Sequence, residues 1–227
     1  HGTTVATNCL IQRKGAKVAV LTTAGFRDLL EIGRQIRPHM YDMHTDFPPP
    51  LSPREHRFEV VERVVSDGSV HRELSLDSLS EALDALANTD VDAVAVCFLF
   101  SYLNPDHETR VATCLKERFP HLRVSLSSQV QPEFREYERF STTTINAYLQ
   151  PVLDHYVSRL EERLAEILPL ASIGINQSSG GLMSLARTRE FPVRTALSGP
   201  AAGVIGAASV GVRADRPDLI TLDVGGT

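Results

Sequence analysis

Apolar residues recur along this chain in two alternating rhythms, one of short continuous runs and one of helical spacing. That alternation predicts an α/β fold. Val18 to Thr23 reads as a buried strand, followed by Gly25 and a helix with Phe26, Leu29 and Leu30 on its inner face. Ala93 to Phe100 is continuously apolar, as a strand covered on both faces must be. Before it, Leu76, Leu79, Leu83 and Leu86 mark an amphipathic helix. After it, Asn104 is a natural N-cap, Pro105 suits the first helical position, and Asp106 and Glu108 complement the helix dipole. Val111, Leu115 and Phe119 give that helix its stripe, and Arg123 to Ser127 supplies a further strand.

Between residues 38 and 75 the rhythm changes. Pro48, Pro49 and Pro50 interrupt regular structure, Phe58 to Val65 reads as a strand, and Asp67-Gly68 turns it into Val70 to Leu74. The expectation is a β-hairpin attached to the α/β core. Tyr137, Phe140, Tyr148, Val152, Tyr156, Leu160, Leu164 and Ile167 then predict a long helical connection, which Pro151 must kink or split. Ala171 to Gln177 reads as a strand leading into Ser178-Ser179-Gly180-Gly181. Ser198 to Gly203 opens a small-residue helix running to about Val210. The last apolar run, from Leu219, reads as a short buried strand that breaks into Asp223-Val224-Gly225-Gly226-Thr227.

Composition narrows the function classes. The chain has 227 residues, 42% hydrophobic and 22% charged, as in ordinary globular proteins of one or two domains. A net charge of −5 with dispersed basic residues argues against a nucleic-acid surface. Cys9, Cys97 and Cys114 lie far apart with no C-x-x-C spacing, which fits a reducing, cytoplasmic setting better than a disulfide framework or zinc site. No apolar stretch approaches ~18–20 residues, so no transmembrane helix is expected. The chain opens on His1 and closes on a phosphate-type loop, and both ends read as cut, as in an internal fragment of a longer protein.

Chemistry concentrates in glycine-bearing polar segments. In D-V-G-G-T, Gly225 and Gly226 let backbone N–H groups approach a polyphosphate, Asp223 can hold a Mg²⁺-bound water, and Thr227 offers a hydroxyl. A tight turn with nothing bound is the alternative. His1-Gly2-Thr3-Thr4 precedes a helix over Val5 to Gln12, so it either receives an anion or polar substrate or merely caps that helix. Arg27, Asp28, Glu31, Arg34 and Arg37 either line a pocket for a carbonyl or carboxylate substrate or form a salt-bridged helix face. Gly180 and Gly181 form a backbone nest or an ordinary turn. Ser198 and Gly199 abut a nucleotide or simply begin a helix. P-loop, zincin and α/β-hydrolase motifs are absent from the sequence.

Taken together, H-G-T-T-V-A-T-N (1–8), T-T-A-G-F-R-D-L-L-E-I-G-R-Q (22–35), S-Y-L-N-P-D-H-E (101–108), R-E-Y-E-R (135–139), N-A-Y-L-Q-P (146–151), S-G-P-A-A-G (198–203) and D-V-G-G-T (223–227) resemble the hydantoinase A/5-oxoprolinase family. That family also includes acetone carboxylase-type subunits. The resemblance implies incomplete RNase H-like lobes of the actin-like ATPase superfamily. Residues 1–145 would be the later part of the N-terminal family domain and 146–227 the start of the ATPase domain. It implies ATP and Mg²⁺ as cofactors, held by Asp223, Gly225, Gly226 and Thr227 with Gly180, Gly181, Ser198 and Gly199. The D-V-G-G-T would be the second of two phosphate loops, the first preceding His1. On the substrate side stand His1, Gly2, Thr3, Thr4 and Arg27. The implied reaction is phosphoryl activation of a lactam or imide carbonyl before ring opening, with a hydantoinase B-type partner. A ketone carboxylase subunit and a non-catalytic scaffold fragment are the alternatives.

Overall fold

A computed structural model describes residues 1–36, 38–42 and 44–224. In chain order the elements are α1 (Val5–Gln12), β1 (Val18–Thr23), α2 (Leu29–Ile32), β2 (Arg57–Val60), β3 (Arg63–Val64), β4 (Val70–Arg72), α3 (Leu76–Ala87), β5 (Ala93–Cys97) and α4 (Asp106–Arg118). There follow β6 (Arg123–Leu126), α5 (Ser127–Val130), α6 (Glu136–Ile167), β7 (Ile175–Asn176), β8 (Leu182–Met183), α7 (Leu185–Glu190) and α8 (Ser198–Arg213). They fall into two compact units, Ala16–Tyr148 and a second built from His1–Gly15 with Leu149–Thr227.

The first unit is a parallel sheet of order β2-β1-β5-β6. Val18 pairs with Ala93, and Ala93 in turn with Arg123, so the two most apolar strands occupy the centre. Every residue of β1 and β5 is buried, which is why neither strand alternates polar with apolar. Parallel neighbours need crossovers, and α3 and α4 supply them. Leu79, Leu83 and Leu86 of α3 and Val111 and Leu115 of α4 pack with Ala19, Leu21, Val94 and Val96 into one core. Leu76 stays exposed, and Ser75 caps α3 by accepting the N–H of Ser78 at 3.2 Å.

Several expectations shift in register. The predicted strand from Phe58 to Val65 is two strands. Arg57–Val60 is the parallel edge of the sheet, and only Arg63–Val64 pairs antiparallel with Val70–Arg72 as the hairpin. The helix after β1 is a single turn, Leu29–Ile32, ended by Gly33 at φ +56°. Pro105, not Asn104, is the N-cap of α4. Asn104 caps from one residue further out, its Oδ1 accepting the N–H of Asp106 at 3.2 Å.

In the second unit, α6 runs unbroken through Pro151. Its earlier turns, up to Tyr148, belong to the first unit. Val157, Ile175, Met183 and Leu185 form the second unit's small core. The strand expected over Ala171 to Gln177 reduces to Ile175–Asn176, paired with Leu182–Met183. The strand expected from Leu219 does not form among the described residues. Ile220, Leu222 and Val224 are exposed and no described strand pairs with them, and a strand without a ladder leaves its backbone groups to water.

Candidate functional site

In the second unit the fold gathers most of the glycine-bearing segments. The His1 nitrogen donates to the Gly174 carbonyl at 2.8 Å, and Asn176 N–H donates to the His1 carbonyl at 2.9 Å, so residue 1 lies along β7. The His1 Nε2 meets the Tyr156 hydroxyl at 2.6 Å. A Cβ on Gly2 would touch the Asn176 amide at 3.6 Å, an ordinary contact. Thr3 Oγ1 accepts the N–H of Val5 at 3.2 Å, and Thr4 Oγ1 accepts the Asn8 side chain at 3.3 Å. Both hydroxyls are thus engaged at the start of α1.

The start of α8 is stitched to this segment. Ser198 Oγ donates to the Thr3 carbonyl at 3.3 Å and Leu197 N–H donates to Thr7 Oγ1 at 3.1 Å. Leu197 holds φ +59°, a left-handed conformation that turns the chain into the helix. The space above Gly199 is open, since an added Cβ would meet nothing within 4 Å. Pro200 has no N–H to give and Ser198 is buried, so what this helix start offers an anionic oxygen is the Gly199 N–H, which has no acceptor among the described residues. Gly180 and Gly181, at φ +88° and +79°, make the turn between β7 and β8. Two of that turn's amides are already engaged, Gly180 with the Gln177 carbonyl (3.1 Å) and Ser178 with the Arg194 carbonyl (2.8 Å). Asp223 is exposed, while Gly225, Gly226 and Thr227 lie outside the described residues.

Arg27 sits in the other unit. Its guanidinium donates to the Arg54 carbonyl at 2.9 Å. Around it Asp28 takes a two-pronged pair from Arg54 (2.7 and 3.1 Å), Glu31 pairs with the buried Arg57 at 2.6 Å, and Arg34 pairs with Glu138. Arg37, grouped with these in the sequence, lies outside the described residues.

At the carboxyl ends of β1 and β5 lies a buried polar network that the sequence reading missed. Glu108 is fully buried and accepts four hydrogen bonds: Phe98 N–H (2.9 Å), Ser127 Oγ (2.6 Å), and the N–H and Oγ of Ser128 (2.9 and 2.7 Å). Burial nonetheless raises its pKa above the ordinary carboxyl value. Its spacing with Val111 and Leu115 already puts it on the inner face of α4, a legible signal that outweighs the dipole argument. Glu62, also buried, accepts from Thr23 and meets His107 Nδ1 at 2.8 Å. Arg139, 1% exposed, donates to the carbonyls of Glu133 (2.8 Å) and Phe98 (3.2 Å), and burial lowers its pKa. Among the described residues no set of metal-ligating side chains clusters, and no helix is long and apolar enough to cross a membrane.

Comparison with known proteins places this architecture. The chain is 37% identical to caprolactamase subunit alpha of Pseudomonas jessenii across its whole length, covering 33% of that protein. It is 36% identical to 5-oxoprolinase 1 of Arabidopsis thaliana, covering 19% of it. The crystal structure of ATP-dependent caprolactamase from Pseudomonas jessenii superposes with a TM-score of 0.89 over 100% of this chain and 33% of that one. The nucleotide-free structure of acetone carboxylase gives 0.82 at 26% identity over 94% of this chain and 32% of that one. The fold is therefore α/β of the actin-like ATPase type, and the chain spans only 33% of the caprolactamase subunit. Two family models match in tandem, the hydantoinase/oxoprolinase N-terminal region over residues 1–119 and hydantoinase/oxoprolinase over 139–227, and the chain belongs to the hydantoinase/oxoprolinase family.

Proposed function

We propose that this chain is part of an ATP-dependent enzyme that activates the carbonyl of a cyclic amide and then opens the ring. The observation that carries this reading is similarity along the whole of this chain to one third of an ATP-dependent caprolactamase, combined with the D-V-G-G-T motif at 223–227. An amide carbonyl resists water because its nitrogen donates into it. Moving the γ-phosphoryl group of ATP to the carbonyl oxygen breaks the bond to ADP, forms the C–O–P link and leaves an imidate carbon far more open to attack. Water then adds at carbon, the C–N bond breaks with the nitrogen leaving as the amine, and a second water hydrolyses the resulting acyl phosphate to carboxylate and phosphate. Catalysis of such a transfer is mostly alignment and neutralisation of charge.

Asp223 fits a metal-bound water, because its carboxylate is exposed and takes no hydrogen bond or ion pair from any described residue. The metal, Mg²⁺, would supply charge neutralisation. Gly225, Gly226 and Thr227 offer amides and a hydroxyl to phosphate, with the helix start at Gly199, next to the buried Ser198, as a further anion-facing element and the Gly180-Gly181 turn beside β7. His1 to Thr4 are candidate substrate contacts, and Arg27 is a separate candidate. We assign 1–145 to the N-terminal family domain and 146–227 to the start of the ATPase domain, and a hydantoinase B-type subunit or domain as partner.

A second reading, an ATP-dependent ketone carboxylase, is favoured by the superposition on acetone carboxylase. The two separate in one assay on a protein that carries this chain within the length of its relatives. Caprolactam or 5-oxoproline should stimulate ATP hydrolysis, and Asp223→Ala should lower that rate about 10–100-fold. Stimulation by a ketone with bicarbonate and by no cyclic amide assigns the carboxylase. ATP hydrolysis indifferent to Asp223→Ala removes the phosphate-loop reading.

A further inference from the structure

Three motif segments that the reading above leaves without a role converge within the first unit. Gly33 and Arg34, then Leu99, Phe100 and Tyr102 after β5, then Phe134 to Arg139 at the start of α6 line one cavity of about 640 Å³. Its wall holds a buried cation, on which the carboxylates of Glu108 and Glu136 act only from beyond ion-pair distance among the described residues. Arg139 is held by two main-chain carbonyls and lies against the rings of Tyr102 (5.2 Å) and Phe140 (5.5 Å). It makes no ion pair among the described residues, and its buried Nε–H has no acceptor. A buried charge left in that state is costly unless something pairs with it.

The same wall presents a second cation. Arg135 is exposed, lies over the Phe134 ring at 5.4 Å and pairs with no carboxylate among the described residues. Of the opposing acids, Glu138 is neutralised by Arg34, which leaves Glu136 on the wall and the buried Glu108 behind it facing the two arginines, neither in an ion pair with them among the described residues. Two non-glycine residues of this wall, Phe100 and Arg135, hold left-handed φ of +53° and +70°. Strain of that kind persists where surroundings impose it, and it gathers at binding sites.

Gly33, Arg34 and Tyr137 also form the shared wall of a neighbouring cavity of about 420 Å³. That chamber is apolar, roofed by Phe47 to Leu51 with Ile36 and Ile145 at its sides. We propose that the paired chambers bind an organic monocarboxylate, its head between Arg135 and Arg139 and its short hydrocarbon body in the apolar chamber. This site does not depend on the ATP-dependent reading.

Sodium hexanoate is the probe, titrated by calorimetry and by NMR of the arginine Nε–H signals into a protein that carries this chain within the length of its relatives. Hexanoate should bind at least about tenfold more tightly than hexanamide, which keeps the body and loses the charge, or acetate, which keeps the charge and loses the body. The Arg139 Nε–H signal should shift on saturation. Arg135→Gln, an exposed change, should weaken hexanoate about tenfold without moving the urea midpoint. Equal binding of hexanoate and hexanamide, or affinity unchanged in Arg135→Gln, overturns the carboxylate site. Acetate binding as tightly as hexanoate overturns the role of the apolar chamber.

Discussion

Two apolar runs of this chain, Ala93–Cys97 and Leu219–Val224, look alike on paper and end in opposite environments. The first is the fully buried centre of a parallel sheet, hydrogen-bonded on both sides to β1 and β6. The second is exposed, with no described strand beside it. Their difference is supplied by neighbours rather than composition. A hydrophobic run becomes a strand when ladders on both edges satisfy its backbone and helices cover its faces. β5 has both; the run after α8 has neither among the described residues.

The sharpest way to break the contrast is at the network that closes the sheet. Glu108→Ala strands four donors around a buried void and should cost about 3–5 kcal/mol in urea unfolding. The same residue predicts a pH signature. Burial raises its folded pKa above the ordinary 4.5, so the folded protein holds that proton more tightly than the unfolded chain. This contribution is complete below the unfolded value and is lost as pH rises through the raised folded one. Glu108→Gln should flatten that limb of a midpoint-against-pH curve. Leu115→Ala, at a fully buried site of the core, should cost about 2–5 kcal/mol. Ser75→Ala removes the cap of α3 and should cost about 1 kcal/mol. Leu222→Ala, in the exposed run, should stay within about 0.5 kcal/mol of the parent chain. A large loss there would mean that Leu219–Val224 is buried in solution after all.

What could be read from the sequence follows the same division. The central strands, the covering helices and α1 were legible because their patterns are local: continuous burial in β1 and β5, a 3.6-residue stripe in α3. Boundaries set by tertiary pairing were not. No local feature says that Val60 pairs in parallel with Thr23 while Val64 pairs antiparallel with Val70. The glycine-bearing segments stand out as motifs, and the fold brings Thr3 and Ser198 into hydrogen-bonding distance, a proximity across 195 residues that no local pattern announces. Arg139 stands in a charge cluster with Glu133, Arg135, Glu136 and Glu138, and nothing in R-E-Y-E-R separates it from solvated neighbours. Only its packing between Tyr102 and Phe140 removes it from water.

The three free thiols turn this architecture into a clock. Cys97 lies at the centre of the sheet unit, where burial pushes its ionisation well above 9.0, and Cys9 is buried in the other unit with its ionisation also raised. Neither becomes a thiolate within reach of an alkylating reagent until its own surroundings part. Cys114 is only half-buried and reacts early, as the internal standard. Alkylation followed by peptide mapping therefore dates the opening of each unit separately, in a single reaction mixture and with no introduced label.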